Sequence, residues 1–463
     1  MKLEGQVPGS FRDPSGSVFW HQGGLYRTVT KVYEDEYAAA RDAGLYEKLI
    51  SKGLLVQHEE VELDLGQQEN VVAVIKPEVV PFISYPYEWC FSQLKDAALA
   101  TLKIQKIALG MGFTLKDSSA YNVQFVDGKP VFIDTLSFER YVEGEPWIAY
   151  KQFCQHFLAP LLLMSLTDIS LAQLSRLHLD GVPLDLASKL LPKKTKFSPM
   201  IAMHIHLHAK TQTGTQPDDV RAKQARVSKV GLIGLIDNLA SIVKKTDWTP
   251  AGTVWADYYN ETNYSDDSMT AKKDAVRHAL AQVSPEPNVV WDLGANNGEF
   301  ARLATGQGIN AVAWDIDPAA VEKNYRLSRE KSDAKMLPLV QDLTNPSPAQ
   351  GWAHSERESL RQRGPADALM ALALIHHIAI GNNVPLDDVA SFFSDLGKWL
   401  VVEFVPKEDS QVKRMLANRR DVFPNYHIEG FVSAFEPYFE IIERNAIPDT
   451  ERTLFLMKSR KHQ

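Results

Sequence analysis

Residues 17–33, SVFWHQGGLYRTVTKVY, alternate apolar and polar positions around the pair Gly23-Gly24, which predicts a β-hairpin. Apolar residues then fall at helical spacing from Glu34 to Leu55 (Tyr37, Ala40, Leu45, Leu49), with Gly53 placed to end the helix. Strands are expected at Val61–Leu65 and Val71–Ile75, and a long helix after Tyr87 through CFSQLKDAALATLKIQKIALGMG. Two short strands, VQFV and PVFID, flank the turn Asp127-Gly128, and helices dominate onward to about Leu191. This first stretch reads as an α+β unit, a sheet-rich lobe followed by a helical one.

From Pro287 the pattern changes to alternating strand and helix: VVWDL, NAVAWDI, a strand near Leu339, ALMALALI and LVVEFV, with helices between. That is the rhythm of a doubly wound α/β sheet. FEIIERNAIP and RTLFLMKS add two strands able to pair antiparallel, so the expected fold is a mostly parallel, Rossmann-like sheet with an antiparallel edge. Between the two patterns, residues 191–250 hold ten Lys or Arg against four Asp, in a chain whose net charge is −8. This shift predicts domains at 1–210 and 251–463, joined by a linker and an amphipathic helix at 211–250 whose apolar face carries Val230, Ile233, Ile236 and Ile242.

The chain has 463 residues, 44% of them apolar, with 20 Phe, 15 Tyr and 9 Trp, enough for more than one packed core. The negative charge disfavours nucleic acid as a partner and leaves small molecules, glycans, lipids and proteins open. Cys90 and Cys154 are the only cysteines, too few for a disulfide framework, and MKLEGQVPGSFRDPSG lacks a signal-peptide core. A cytoplasmic protein without a transmembrane segment is expected; its oligomeric state is not written in the sequence.

The strand VVWD runs into Asp292-Leu293-Gly294-Ala295-Asn296-Asn297-Gly298 and then into a helix. Glycines there let backbone approach a ligand, and a helix start offers unpaired N–H groups. Twenty-one residues after Gly294, Asp315 ends the next strand, where a carboxylate can take two ribose hydroxyls, and Asp342 follows the third strand. These segments resemble the first motifs of the class I S-adenosylmethionine-dependent methyltransferases. The resemblance implies a cofactor site of Asp292, Gly294, Ala295, Asn296 and Gly298, with Asp315 and Ile316 at the ribose and Asp342 and Leu343 at the adenine. Asn296 departs from that family, which has a glycine at this position. In related enzymes a leading segment covers the cofactor, which implicates Tyr264 and Lys272. His376 and His377, at the carboxyl end of ALMALALI, are candidates for the base that takes a proton from an O- or N-acceptor. Glu403, ending the next strand, is a further pocket candidate.

The first domain carries Asp117, Asn122 and Asp134 at spacings of five and twelve residues. The stretch resembles a kinase catalytic loop, which implies a second site for ATP and magnesium. Leu115-Lys116 stand where that family has His-Arg, and Thr135-Leu136 where protein kinases have Phe-Gly. Lys76 follows the first long helix and is rejected as the kinase lysine; Arg27 or Lys31 lies on the strand that would carry it. His204, His206 and His208 would share one face of a strand, whereas in a helix only His204 and His208 align; a structural role is favoured over a metal. Most of the chain also resembles the family grouped with host-specific nodulation proteins, through SYPYEWCFSQLKDAALATL and YNVQF-x4-PVFIDTLSFERY. Together these point to methyl transfer to an unidentified acceptor, with a bifunctional methyltransferase and phosphotransferase or a non-enzymatic scaffold as alternatives.

Overall fold

The computed structural model describes residues 5–65, 68–207, 226–250, 265–417 and 420–462. The chain forms two compact units, Met1–Thr249 with Gly351–Glu356, and Pro250–Gln350 with Arg357–Gln463.

In the first unit, β1 (Val18–His21), β2 (Gly24–Thr30), β3 (His58–Glu60) and β4 (Val71–Pro77) form an antiparallel sheet in the order β1-β2-β4-β3. The predicted single helix after the hairpin is two, Glu34–Asp42 and Leu45–Ile50, because Gly44 takes φ +71° and breaks the helical path. The third strand lies at His58–Glu60 rather than Val61–Leu65, since the pairing of His58 with Pro77 and Glu60 with Ile75 fixes its register. Helix Phe91–Gly110 leads to β5 (Phe113–Leu115), which pairs with β8 (Phe138–Arg140), and β6 (Val123–Val126) and β7 (Lys129–Phe132) form the expected hairpin. Helix Lys229–Lys245 belongs to this unit and packs on Phe91–Gly110. It buries Leu232, Ile236, Leu239 and Ile242, while Val230, placed by sequence on the apolar face, is 80% exposed.

The second unit is built on seven strands in the order β11-β10-β9-β12-β13-β15-β14. Here β9 is Val289–Leu293, β10 Asn310–Asp315, β11 Met336–Val340, β12 Ala366–Ala371, β13 Gly397–Phe404, β14 Phe439–Ala446 and β15 Thr453–Ser459. The first five pair parallel; β15 runs antiparallel between β13 and β14. The parallel strands are covered on both faces and so read as near-continuous apolar runs. Trp291 and Trp314, neighbours across β9 and β10, are fully buried and meet edge to face with centroids 5.8 Å apart. The chain crosses from β9 to β10 on one side and later to β12 on the other, so the strand order reverses at β9, and the crevice beyond the carboxyl ends of such strands is where open α/β sheets bind ligands. Among the described residues no helix is long and apolar enough to cross a membrane.

Candidate functional site

The turn after β9 is fixed by its own backbone. Gly294 and Ala295 both donate to the Trp314 carbonyl, at 2.9 and 2.8 Å, which ties the turn to β10. Gly294, Asn296 and Gly298 all have positive φ, at +76°, +50° and +80°. Asparagine is among the few side chains that enter this region readily, which is how Asn296 stands where a glycine is usual. Its amide donates to Asp315 Oδ2 at 2.7 Å, while Asp317 donates to Oδ1 at 2.8 Å, so Asp315 is aimed by two backbone N–H groups. Behind the turn, Arg302 reaches the Asn297 carbonyl at 2.5 Å and Asn324 Oδ1 at 2.6 Å. A Cβ on Gly298 would sit 2.4 Å from Asn324 Nδ2.

Over this turn opens a cavity of about 350 Å³. Of the residues singled out by sequence, Asp292, Gly294, Ala295, Asn296, Asp315, Ile316, Asp342, Leu343, Lys272 and His377 line it. Gly298 lies behind the turn, and Tyr264 falls outside the described residues. Sequence left the two histidines open, and the structure separates them. His377 lines the cavity, whereas His376 is fully buried off its wall, its Nδ1 without a hydrogen-bond partner. Residues 377–381 form a π-helical turn, a local widening that recurs at functional sites. Sequence missed Met269, one turn from Lys272, and Phe300, Gln341, Thr344, Ile378 and Asn382, which line the cavity together with residues 372–374 and Gly381. Met269 was within reach of a helical-spacing argument; the others depend on how the strand ends converge.

Burial dominates the electrostatics. It pushes the Asp292 carboxyl up to about 7, with repulsion from Asp315 adding to the shift, and Asp315 up to about 6 against the pull of its amide donors. Asp292 Oδ2 is buried with no hydrogen-bond partner. Burial likewise lowers His377 to about 4, helped by the charge of Arg452, so this imidazole is neutral at pH 7. Glu403 does not line the cavity as sequence suggested. It is fully buried and accepts from Lys272 Nζ at 2.7 Å, with Arg452 Nη1 3.5 Å away; Arg452 Nε in turn donates to Asp409 at 2.8 Å. Lys272 Nζ also sits 4.6 Å from the centre of the Phe300 ring.

The first unit brings Asp117 and Asp134 into mutual repulsion: Asp117 is raised, chiefly by burial and further by Asp134. Burial pushes Asp134 up, but Arg27, whose Nη1 is 2.5 Å away, and donors from Ser137 and Leu136 together outweigh it and hold the carboxyl below its usual range. Both Asp134 oxygens are therefore engaged by protein groups, and among the described residues no three His, Cys, Asp or Glu gather as a metal site. Asp117 accepts from the Ser119 amide, and Asn122 ends the short turn before β6. The strand cation that reaches Asp134 is Arg27, and Lys76 is exposed. His204 and His206 lie in a helical turn rather than a strand. The first bonds Tyr150 and Asn238, the second Ser188 and Thr195, so neither is directed at a common ligand; His208 falls outside the described residues.

No family model matches the chain. Nodulation protein NoeA of Rhizobium meliloti (strain 1021) is 38% identical over 460 residues, covering 97% of this chain and 95% of that one. Among solved structures, the bifunctional kinase-methyltransferase WbdD is 14% identical with a TM-score of 0.31, covering 47% of this chain and 45% of its own. Magnesium protoporphyrin IX methyltransferase from Synechocystis PCC 6803 with bound SAH is 16% identical with a TM-score of 0.31, covering 44% of this chain and 92% of its own.

Proposed function

The chain belongs to the family of nodulation protein NoeA, and from that premise we propose that its carboxyl-terminal domain, residues 251–463, is an S-adenosylmethionine-dependent methyltransferase acting on an O- or N-acceptor. One observation carries the reading: three acids at the carboxyl ends of three neighbouring parallel strands, Asp292 in β9, Asp315 in β10 and Asp342 just past β11, converge on one cavity over a positive-φ turn. The residues fit the cofactor. Asp292 Oδ2 is an orphaned buried acceptor suited to an ammonium group, Asp315 is held by two amides in the attitude needed for a pair of hydroxyls, and Ile316 and Leu343 offer apolar surface beside Asp342 for a base.

The bound cofactor supplies an electrophilic methyl group on a sulfonium. The protein's part is to orient and to move a proton. Gly294, Ala295 and Asn296, backed by Gly298, would form the floor under the cofactor, with Asp315 placed to hold the ribose and Asp342 to contact the adenine. His377, neutral at pH 7, accepts the proton from an acceptor hydroxyl or amine. Such a base contributes about 10²–10⁴ in rate, whereas holding acceptor and methyl in line contributes roughly 7–11 kcal/mol, so positioning is the larger share. We assign acceptor recognition to residues 1–210, with 211–250 as the connection, and favour a small molecule or glycan as acceptor.

The bifunctional reading loses support from Asp134, whose oxygens are taken by Arg27 and Ser137. Calorimetric titration of the full-length protein with S-adenosylmethionine, and separately with ATP plus magnesium, tests both. Binding of the first alone is expected. Absence of any heat with S-adenosylmethionine or its demethylated product would remove the methyltransferase reading, and magnesium-dependent ATP binding would restore the bifunctional one.

A further inference from the structure

Between Asp185 and Asp218 the sequence has no acidic residue, although the net charge of the chain is −8, and Lys193, Lys194 and Lys196 stand together in that span. They belong to the short helical turn Lys193–Phe197, which follows helix Leu184–Leu190 and leads into the helical residues Pro199–Ile201 and Ala202–His206. All three lysines are exposed, and among the described residues none of them has an ion-pair or hydrogen-bond partner. Lys189, by contrast, is paired with Asp185 at 3.1 Å. Phe197 closes the turn and is 88% exposed, more than any other large apolar side chain among the described residues; Met203 and Leu207 are exposed at 41% and 56%. His206 fixes this surface from behind. Thr195 Oγ1 donates to the Pro192 carbonyl at 2.7 Å and so accepts from His206 Nε2 at 2.9 Å, which leaves Nδ1 to accept from Ser188 Oγ at 2.7 Å. One imidazole thus ties the turn to the helix before it and the helix after it.

A single exposed apolar residue needs no explanation, but a projecting phenylalanine in the same turn as three unpaired cations does. We propose that residues 193–207 dock the first unit on an anionic lipid bilayer, with Lys193, Lys194 and Lys196 over the headgroups and Phe197 inserted at the boundary with the acyl chains. Charge complementarity selects this occupant. Each lysine held at an anionic bilayer strengthens binding about fivefold, and an apolar side chain beside the lysines adds burial in the interface. A protein partner suits the surface less well, because lysine is depleted from the cores of protein interfaces and Phe197 projects from a turn instead of lining a groove. The contact involves the first unit alone and is independent of the methyl-transfer chemistry.

Co-sedimentation of the full-length protein with unilamellar vesicles tests the contact, using phosphatidylcholine alone and phosphatidylcholine with about a quarter phosphatidylglycerol. The unsubstituted protein should partition onto the anionic vesicles roughly 100-fold more strongly than onto the neutral ones, and the difference should shrink as salt is added. The triple variant Lys193→Gln, Lys194→Gln, Lys196→Gln should lose most of that factor. A control triple, Lys48→Gln, Lys52→Gln, Lys129→Gln, makes the same change in net charge at exposed lysines elsewhere in the unit and should keep it. Phe197→Ser should weaken partition roughly 10-fold, as expected for one large apolar side chain returned to water. Every substituted side chain is exposed, so the fold should survive, and thermal melts verify this. Insertion is read separately with an environment-sensitive thiol dye on Phe197→Cys, a selective label because Cys90 and Cys154 are buried. Its emission should shift to shorter wavelength on anionic vesicles and be quenched by brominated acyl chains. No partition onto anionic vesicles, equal partition onto neutral ones, or equal losses in the two triple variants overturns the proposal. Charge-dependent binding with Phe197→Ser unaffected and the dye unquenched overturns the lipid assignment and points to an acidic protein surface instead.

Discussion

Substituting Gly298 by alanine loads the turn at its tightest point. Two costs follow from the structure. The residue sits at φ +80°, where an L side chain costs about 1–2 kcal/mol. The added Cβ would lie 2.4 Å from Asn324 Nδ2 and 2.6 Å from Oδ1, so the amide must move, and with it goes the 2.6 Å bond from Arg302, worth about 1.5–3 kcal/mol for a charged donor. The sum is roughly 2.5–5 kcal/mol. Hydrogen–deuterium exchange of peptides spanning 289–305 measures this locally, as the drop in opening free energy of β9 and the turn. The two costs separate in a cycle. In an Asn324→Ala background there is no amide to displace, so Gly298→Ala should cost only the backbone share, about 1–2 kcal/mol. Full cost in both backgrounds would refute the clash, and a cost below about 1 kcal/mol in the parent would refute the strained turn as well.

Three further outcomes follow. His377→Ala should reduce methyl transfer by about 10²–10⁴-fold with little change in cofactor affinity, measured by single-turnover kinetics once an acceptor is found, while His376→Ala should act mainly on stability. Asp292 and Asp315 are raised to about 7 and about 6, so the free protein keeps protons there that the unfolded chain releases near pH 4; stability should decline as pH rises from about 4 to 7, and affinity for the cationic cofactor should climb through pH 6–7. Calorimetry at pH 5.5 and 8 showing equal affinity would contradict this. Arg27→Met should destabilise the first unit by roughly 3 kcal/mol at pH 7, because Asp134 loses its cation. Asp134 is depressed in the fold, so its contribution is present above pH ~4 and lost as pH falls through its folded value, and the penalty of the substitution should shrink in the same direction.

Much of the second unit was legible because its signals are local. Strands covered on both faces must be apolar throughout, and an acid followed by glycines at a strand end announces a turn under a ligand. The break at Gly44 was less visible, since the apolar spacing continues across it and only the backbone angle reveals the stop. Val230 was misplaced because helical spacing gives a stripe without saying which edge of it meets a neighbour. His376 and His377 could not be told apart, as adjacent residues at a strand-to-helix turn point in directions that the turn alone decides. The role of Glu403 was out of reach for a different reason: its partner Lys272 lies 131 residues away, and no periodicity connects them.

The position of β15 has a consequence for the order of assembly. A ribosome delivers β13 and β14 before β15, yet β15 is the strand that separates them in the sheet. Until residues 453–459 emerge, β13 is an open apolar edge, the kind of surface through which nascent chains pair wrongly. Arg452 arrives with the same segment, so Glu403 meets its second cation, after Lys272, only as the sheet closes. Closing of the sheet and completion of this buried ion-pair network are therefore a single late event, and a chain that stalls short of β15 gains neither.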